Sequence, residues 1–167
     1  MLAIALLLAA AQANPATAQA PCAAPGLLPP ELAGWATPRA LVAATAAGEL
    51  DTATLSVGNA IEATLAPTPH VAYPVQPGHA GAATTHGGLF AFTATEAGSY
   101  RVALGAAAWI DLVAEGKSVT STAHAHGPEC TVVRKLVDFP LKPGRYILQV
   151  SDAADPALTL MIARLPG

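Results

Sequence analysis

Charge is scarce in this chain: eight Lys and Arg against eleven Asp and Glu leave a net charge of −3, and the basic residues nowhere form a cluster. That absence removes the electrostatic footprint of a nucleic-acid binder and of a polybasic membrane surface. Catalytic signatures are missing too. There is no Gly-x-Ser-x-Gly elbow, no His-Glu-x-x-His helix, no phosphate-cradling glycine loop and no Cys-x-x-Cys pair. Aromatic residues make up only 5% of the sequence, and much of its 53% hydrophobic content is alanine, which adds little apolar area per residue. The core must therefore come from the larger side chains downstream of Leu55.

A long apolar run is also lacking. Leu2 to Ala11 is uncharged and apolar, but roughly ten residues fall short of the about twenty that span a bilayer. Small residues at Ala13, Ala18 and Ala20 follow, so residues 1–20 read as a signal peptide without a basic start, with Ala18 preferred because Pro21 follows Ala20. The expected destination is the periplasm or the exterior, with no stable membrane insertion. Only two cysteines are present, and in an oxidising compartment Cys22 and Cys130 are expected to pair. Closing so long a loop is worth about 4–5 kcal/mol in the chain-entropy model. The alternative is a reactive or metal-binding thiolate at Cys130, which needs an electropositive setting.

Residues 21–50 read as an N-terminal arm, extended and Pro-rich, with one helical turn after Pro30 and Trp35 as its anchor. Arg39 to Ala47 is expected to be a short helix ended by Gly48. Residues 51–167 read as the main domain. Strands are expected at Thr52–Val57 and Ala60–Leu65. Later, a period of two places Phe90 with Phe92, Tyr100 with Val102 and Leu104, Tyr146 with Leu148 and Val150, and Leu158 with Leu160 and Ile162 on common faces. Glu115-Gly116 predicts a tight hairpin, Lys142-Pro-Gly-Arg145 a type II turn, and Asp152 to Pro156 a last hairpin loop. Cys130 to Phe139, with charges on both faces, reads as an edge strand or a bulge. The fold class is all-β: an antiparallel β-sandwich, jelly-roll-like, with little helix.

The stretch Phe90-Ala-Phe-Thr-Ala-Thr-Glu-Ala-Gly-Ser-Tyr100, then Trp109-Ile-Asp-Leu-Val113, then Leu141-Lys-Pro-Gly-Arg-Tyr146 resembles the bacterial pre-peptidase C-terminal domain. The resemblance covers Gly87 to Ala163 and implies a secreted jelly-roll-like sandwich of the kind usually appended to an enzyme. A second set, Trp109-Ile-Asp111, His126-Gly-Pro-Glu-Cys130, Arg134-Lys135, Val137-Asp-Phe139 and the turn before Tyr146, resembles small exported proteobacterial proteins sometimes labelled homogentisate dioxygenase. Proper homogentisate dioxygenases are cupins that bind iron through two His and a Glu.

Histidine is the one constellation with chemical potential. On a strand, His124 and His126 share a face, and Glu129 or a loop histidine from His70, His79 and His86 would complete a transition-metal site. The cupin spacing is incomplete, since only Gly127 and Pro128 separate His126 from Glu129, and no histidine follows Tyr146. The bland alternative is a set of exposed histidines on a turn beside a disulfide. Asp111 and Glu115 suggest a glycosidase pair only weakly, and Asp111 reads better as a turn-orienting acid. Arg134, Lys135, Lys142 and Arg145 would bind an anion or an acidic partner if their strands pair. The leading expectation is a non-enzymatic exported binding module for a protein, glycan or metal, with no cofactor expected. A cupin-type metal-dependent dioxygenase is the alternative.

Overall fold

The computed structural model describes residues 22–167; the expected signal segment and Pro21 lie outside them. Eleven strands follow in order: β1 (Arg39–Val42), β2 (Ala60–Thr64), β3 (Ala66–Pro67), β4 (His86–Ala94), β5 (Gly98–Leu104), β6 (Trp109–Ala114), β7 (Lys117–Val119), β8 (Ala123–His126), β9 (Lys135–Leu141), β10 (Gly144–Ala153) and β11 (Ala157–Arg164). They form a six-stranded sheet in the order β1-β2-β11-β5-β9-β8 and a five-stranded sheet in the order β3-β4-β10-β6-β7. Every pairing is antiparallel except the parallel β1–β2. The expected all-β sandwich is therefore what this sequence makes.

The period-two faces meet between the sheets. Phe90, Phe92, Tyr100, Val102, Leu104, Tyr146, Leu148, Val150, Leu158, Leu160 and Ile162 belong to one buried cluster, and Phe92 stacks on Tyr146 with ring centroids 5.5 Å apart. Burial of this apolar area is the main favourable term in folding.

The six-stranded sheet is apolar on its outer face as well. Ala60, Ala103, Leu136, Met161 and Ala163 point away from the first cluster and form a second one with Leu32 and Trp35. These two residues come from a 3-10 segment, Pro30–Ala36, that the Pro29-Pro30 pair starts. Trp35 thus anchors the arm as expected. An ion cluster reinforces it: Arg101 grips Asp138 through two hydrogen bonds of 2.8 Å and reaches Glu31 on the arm at 3.0 Å. The Cys22–Cys130 disulfide forms, and Gly26 N–H donates to the Cys130 carbonyl at 2.7 Å.

The loop between β3 and β4 covers the outer face of the other sheet. Gln149 is buried there because its amide satisfies both backbone groups of Val75, at 3.0 Å each. Tyr73 donates its hydroxyl to the Val150 carbonyl at 2.9 Å, in a space that a side chain at Gly87 would fill. Ser151 Oγ donates to the His79 carbonyl at 2.7 Å.

Five local expectations need correction. Arg39–Val42 is a strand rather than a helix, because four residues gain more from pairing with β2 than from an isolated turn without an apolar stripe. Within Thr52–Val57, Thr52 ends a 3-10 turn and Thr54 makes one isolated bridge to Ala91, so the segment seals the edge of β4 without forming a strand. Gly144 opens β10 opposite Ala94 and is not among the glycines with positive φ, so no type II turn forms there. Instead the Tyr146 hydroxyl donates to the Lys142 carbonyl at 2.9 Å and accepts from its N–H at 3.1 Å, which holds the corner where the chain changes sheets. The Asp152–Pro156 segment also passes between sheets and is no hairpin loop. Finally, β9 is interior, and β8 is the edge. The Glu115-Gly116 hairpin is as expected, with φ of 50° and 72° suited to a two-residue turn.

Two outcomes follow. Asp138→Ala strips the mostly buried Arg101 of its bidentate partner and is expected to cost about 3 kcal/mol in urea denaturation. Burial raises the Tyr73 hydroxyl pKa from 10.0 to about 12, so the folded state holds that proton more tightly than the unfolded chain. The stability advantage over Tyr73→Phe should therefore be full below the unfolded pKa of 10.0 and shrink as pH rises toward 12, as measured by denaturation at stepped pH.

Candidate functional site

The hairpin register of β8 and β9 sets the geometry. His124 lies opposite Val137 and His126 opposite Lys135, and directly opposed residues share a face. Val137 points into the inter-sheet core, so both imidazoles and the Lys135 chain lie on that side, at an edge where every β8 residue is exposed. The loop returning from β8 to β9 is tied down at both ends. Gly127 N–H donates to the Arg134 carbonyl at 3.4 Å, and Arg134 N–H donates to the Leu104 carbonyl at 2.8 Å.

Beside this edge the chain crosses from β5 to β6 through small residues, and the space they leave is a recess of about 370 Å³. Ala107, Ala108, His124, Ala125, His126, Arg134 and Lys135 line it, with no carboxylate among the described lining residues. Its size falls within the roughly 300–1,000 Å³ of small-ligand pockets. A neighbouring hollow over the disulfide loop shares His126 and Arg134 and contains Glu129.

Lys135 joins the recess to the outer face of β6. Its Nζ donates to the Ala108 carbonyl at 2.8 Å and sits 5.4 Å from the centre of the Trp109 ring. Trp109 is 38% exposed, yet its orientation is fixed. Its Nε1–H donates to Asp111 Oδ2 at 3.1 Å, an oxygen that also accepts the Gly78 N–H at 3.0 Å. His79 lies 6.0 Å from the same ring and pairs with Asp152 at 3.1 Å. Burial holds the Lys135 pKa below its ordinary value, with Asp111 opposing that shift in part.

The expected site residues divide. His124, His126, Arg134 and Lys135 come together at the recess. Glu129 faces the neighbouring hollow, and among the described residues no group of three His, Cys, Asp or Glu is placed to hold a metal ion. The two-His-one-Glu iron set of the cupin comparison is thus not assembled by these residues. Cys130 is spent in the disulfide, so it offers no thiolate. Arg145 and Lys142 do not converge with Arg134 and Lys135, because β9 and β10 belong to different sheets. Arg145 pairs instead with Asp51, and β9 separates the two ends by roughly 20 Å at about 3.3 Å per residue. Asp111 orients the turn at Gly78, as read from the sequence.

Sequence reasoning named Trp109 only within the two resemblances, gave it no role at the site, and missed the Ala107-Ala108 wall. The available signal was the run Gly105-Ala-Ala-Ala108, small side chains between two strong strands, followed at once by a large aromatic residue. Compared with known proteins, the chain matches no family model and no curated sequence.

Because Asp111 is the charge that sustains the Lys135 ammonium, Asp111→Asn should move the Lys135 titration still lower, as read from the side-chain carbon shift by NMR. A group whose folded pKa is depressed costs stability while charged, so folding should strengthen as pH rises from that depressed value to the unfolded 10.5. Lys135→Met should lose that increment relative to wild type.

Proposed function

We propose that the chain is an exported, non-catalytic binding module that takes a sugar-sized ligand at the β8–β9 edge. The observation that carries this reading is the recess itself: a concave space of small-ligand size whose walls are fixed by strand register and the pinned β8–β9 return loop. Trp109 supports a sugar as the occupant: it follows the lining residue Ala108 directly, the lining residue Lys135 reaches its ring, and this immobilised, partly exposed indole is the kind of flat apolar surface on which a sugar ring packs. The disulfide suits an oxidising compartment.

An enzymatic role finds less support. Ser121 Oγ lies 2.7 Å from His124 Nε2, the contact a hydroxyl nucleophile and its base require. No carboxylate among the described residues orients that imidazole from its other nitrogen, and His124 is exposed.

The test is a thermal-shift and calorimetric screen of neutral and acidic mono- and oligosaccharides. A ligand that binds wild type should bind Ala107→Phe at least about tenfold more weakly, since one wall of a pocket is then filled. Ala107 is exposed, so the melting temperature of the unliganded variant should stay unchanged. A sugar that binds both proteins equally sits elsewhere and overturns the reading.

A further inference from the structure

Resting on that reading, the nature of the recess wall narrows the ligand further. The protein is acidic as a whole, with a net charge of −3. Locally the sign is reversed, because an arginine, an adjacent lysine and two histidines meet with no acid among the described lining residues. Arg101, Arg145 and Arg164 each face a carboxylate at 3.0 Å or less. Arg134 has no carboxylate within salt-bridge distance among the described residues. Lys135 is half-buried and has only a carbonyl and an aromatic face around its ammonium. The carboxylate that acts on it, Asp111, is already held by Trp109 and Gly78. An ammonium partly stripped of water and short of an anionic partner gains most from a ligand that brings one.

We propose that the recess binds the oxyanion of an acidic sugar, the carboxylate of a uronic acid or the phosphate of a sugar phosphate, between Arg134, Lys135 and His126. The sugar ring then lies toward Trp109, which Lys135 already touches. Arg134 offers a planar fork suited to two oxygens, Lys135 a point charge, and His126 one N–H donor from the opposing strand. The groups that face His126 are Lys135 on β9, Arg134 and Glu129 in the return loop and His124 on its own strand, with Ser121 holding His124 and Asp111 acting at the far side of Lys135. A protonated imidazole adds positive charge to a wall that is already cationic, so affinity for a carboxylate, which stays ionised over the range of histidine titration, rises as pH falls. A phosphate monoester takes up a proton itself at about pH 6 and carries no such expectation.

The experiment is calorimetric titration of the mature protein with glucuronate, glucose 6-phosphate and glucose, in low salt at about pH 5.5 and about pH 7.5, which bracket histidine ionisation. At least one anion should bind, with glucuronate binding tighter at the lower pH, and glucose should bind far more weakly; which anion wins identifies the source of the oxyanion. Arg134→Gln, an exposed substitution, should weaken the anion about tenfold or more, the effect of losing one charged hydrogen bond. Lys135→Met should do the same. Glucose binding as tightly as both anions, or an anion indifferent to Arg134→Gln, overturns the proposal while leaving the sugar site standing. Silence of both anions beside a neutral sugar that binds has the same meaning. Silence of every sugar in the wider screen overturns the proposal and the binding reading together.

Discussion

The outer face of the six-stranded sheet has to be covered. Met161, Ala163, Ala103 and Leu136 present to the outside the apolar surface that a two-layer sandwich ordinarily confines between its layers. Leu32 and Trp35 bury it. Because the arm that carries them makes no sheet pairing over Pro30–Ala36, it is held by side chains and a covalent tie: the Glu31–Arg101–Asp138 cluster near its middle and Cys22–Cys130 at its start. Arg101 and Asp138 face each other across β5 and β9, so the same ions that fix the arm also join the strands beneath it.

That coverage reaches the candidate site through the return loop. Cys130 has φ of 61°, a left-handed conformation unusual for a residue with a side chain, and sits where the disulfide and the Gly26 hydrogen bond both pull on the loop. Val133 belongs to the second core. The next residue, Arg134, is therefore delivered from a fixed backbone although its side chain is exposed. The opposite wall has a matching origin. The β3–β4 loop covers the other sheet, and its Gly78 amide fixes Asp111, which fixes Trp109, whose ring meets Lys135. Two segments with little regular structure, one over each sheet, thus converge on one edge and set its chemistry.

Some of this was legible in the residues and some was not, for identifiable reasons. Alternation at Tyr100-Val102-Leu104 or Leu158-Leu160-Ile162 identifies a strand and its buried face because the side-chain period is two in any sheet. It does not say which sheet a strand joins. Lys142-Pro-Gly-Arg145 and Asp152–Pro156 look like hairpin turns, and both proved to be crossings between layers, since turn chemistry bends the chain in either case. The same gap moved Arg145 away from Arg134 and Lys135. Short Ala-rich segments misled in another way. Arg39–Val42 has weak intrinsic preference, and the open edge of β2 decided its state.

The sequence alone determined the fold class, the sheet-facing side of the main strands, the disulfide and the shared face of His124 and His126, because each depends on local periodicity or on there being only two cysteines. The tertiary structure decided strand order, the burial of both outer faces and the identity of the site. Which of eight scattered basic residues become neighbours, whether Glu129 reaches the histidines, and where an indole remains exposed all depend on contacts between residues distant in the chain. Such contacts are selected by packing two layers and their covers at once, and no window of sequence contains that constraint.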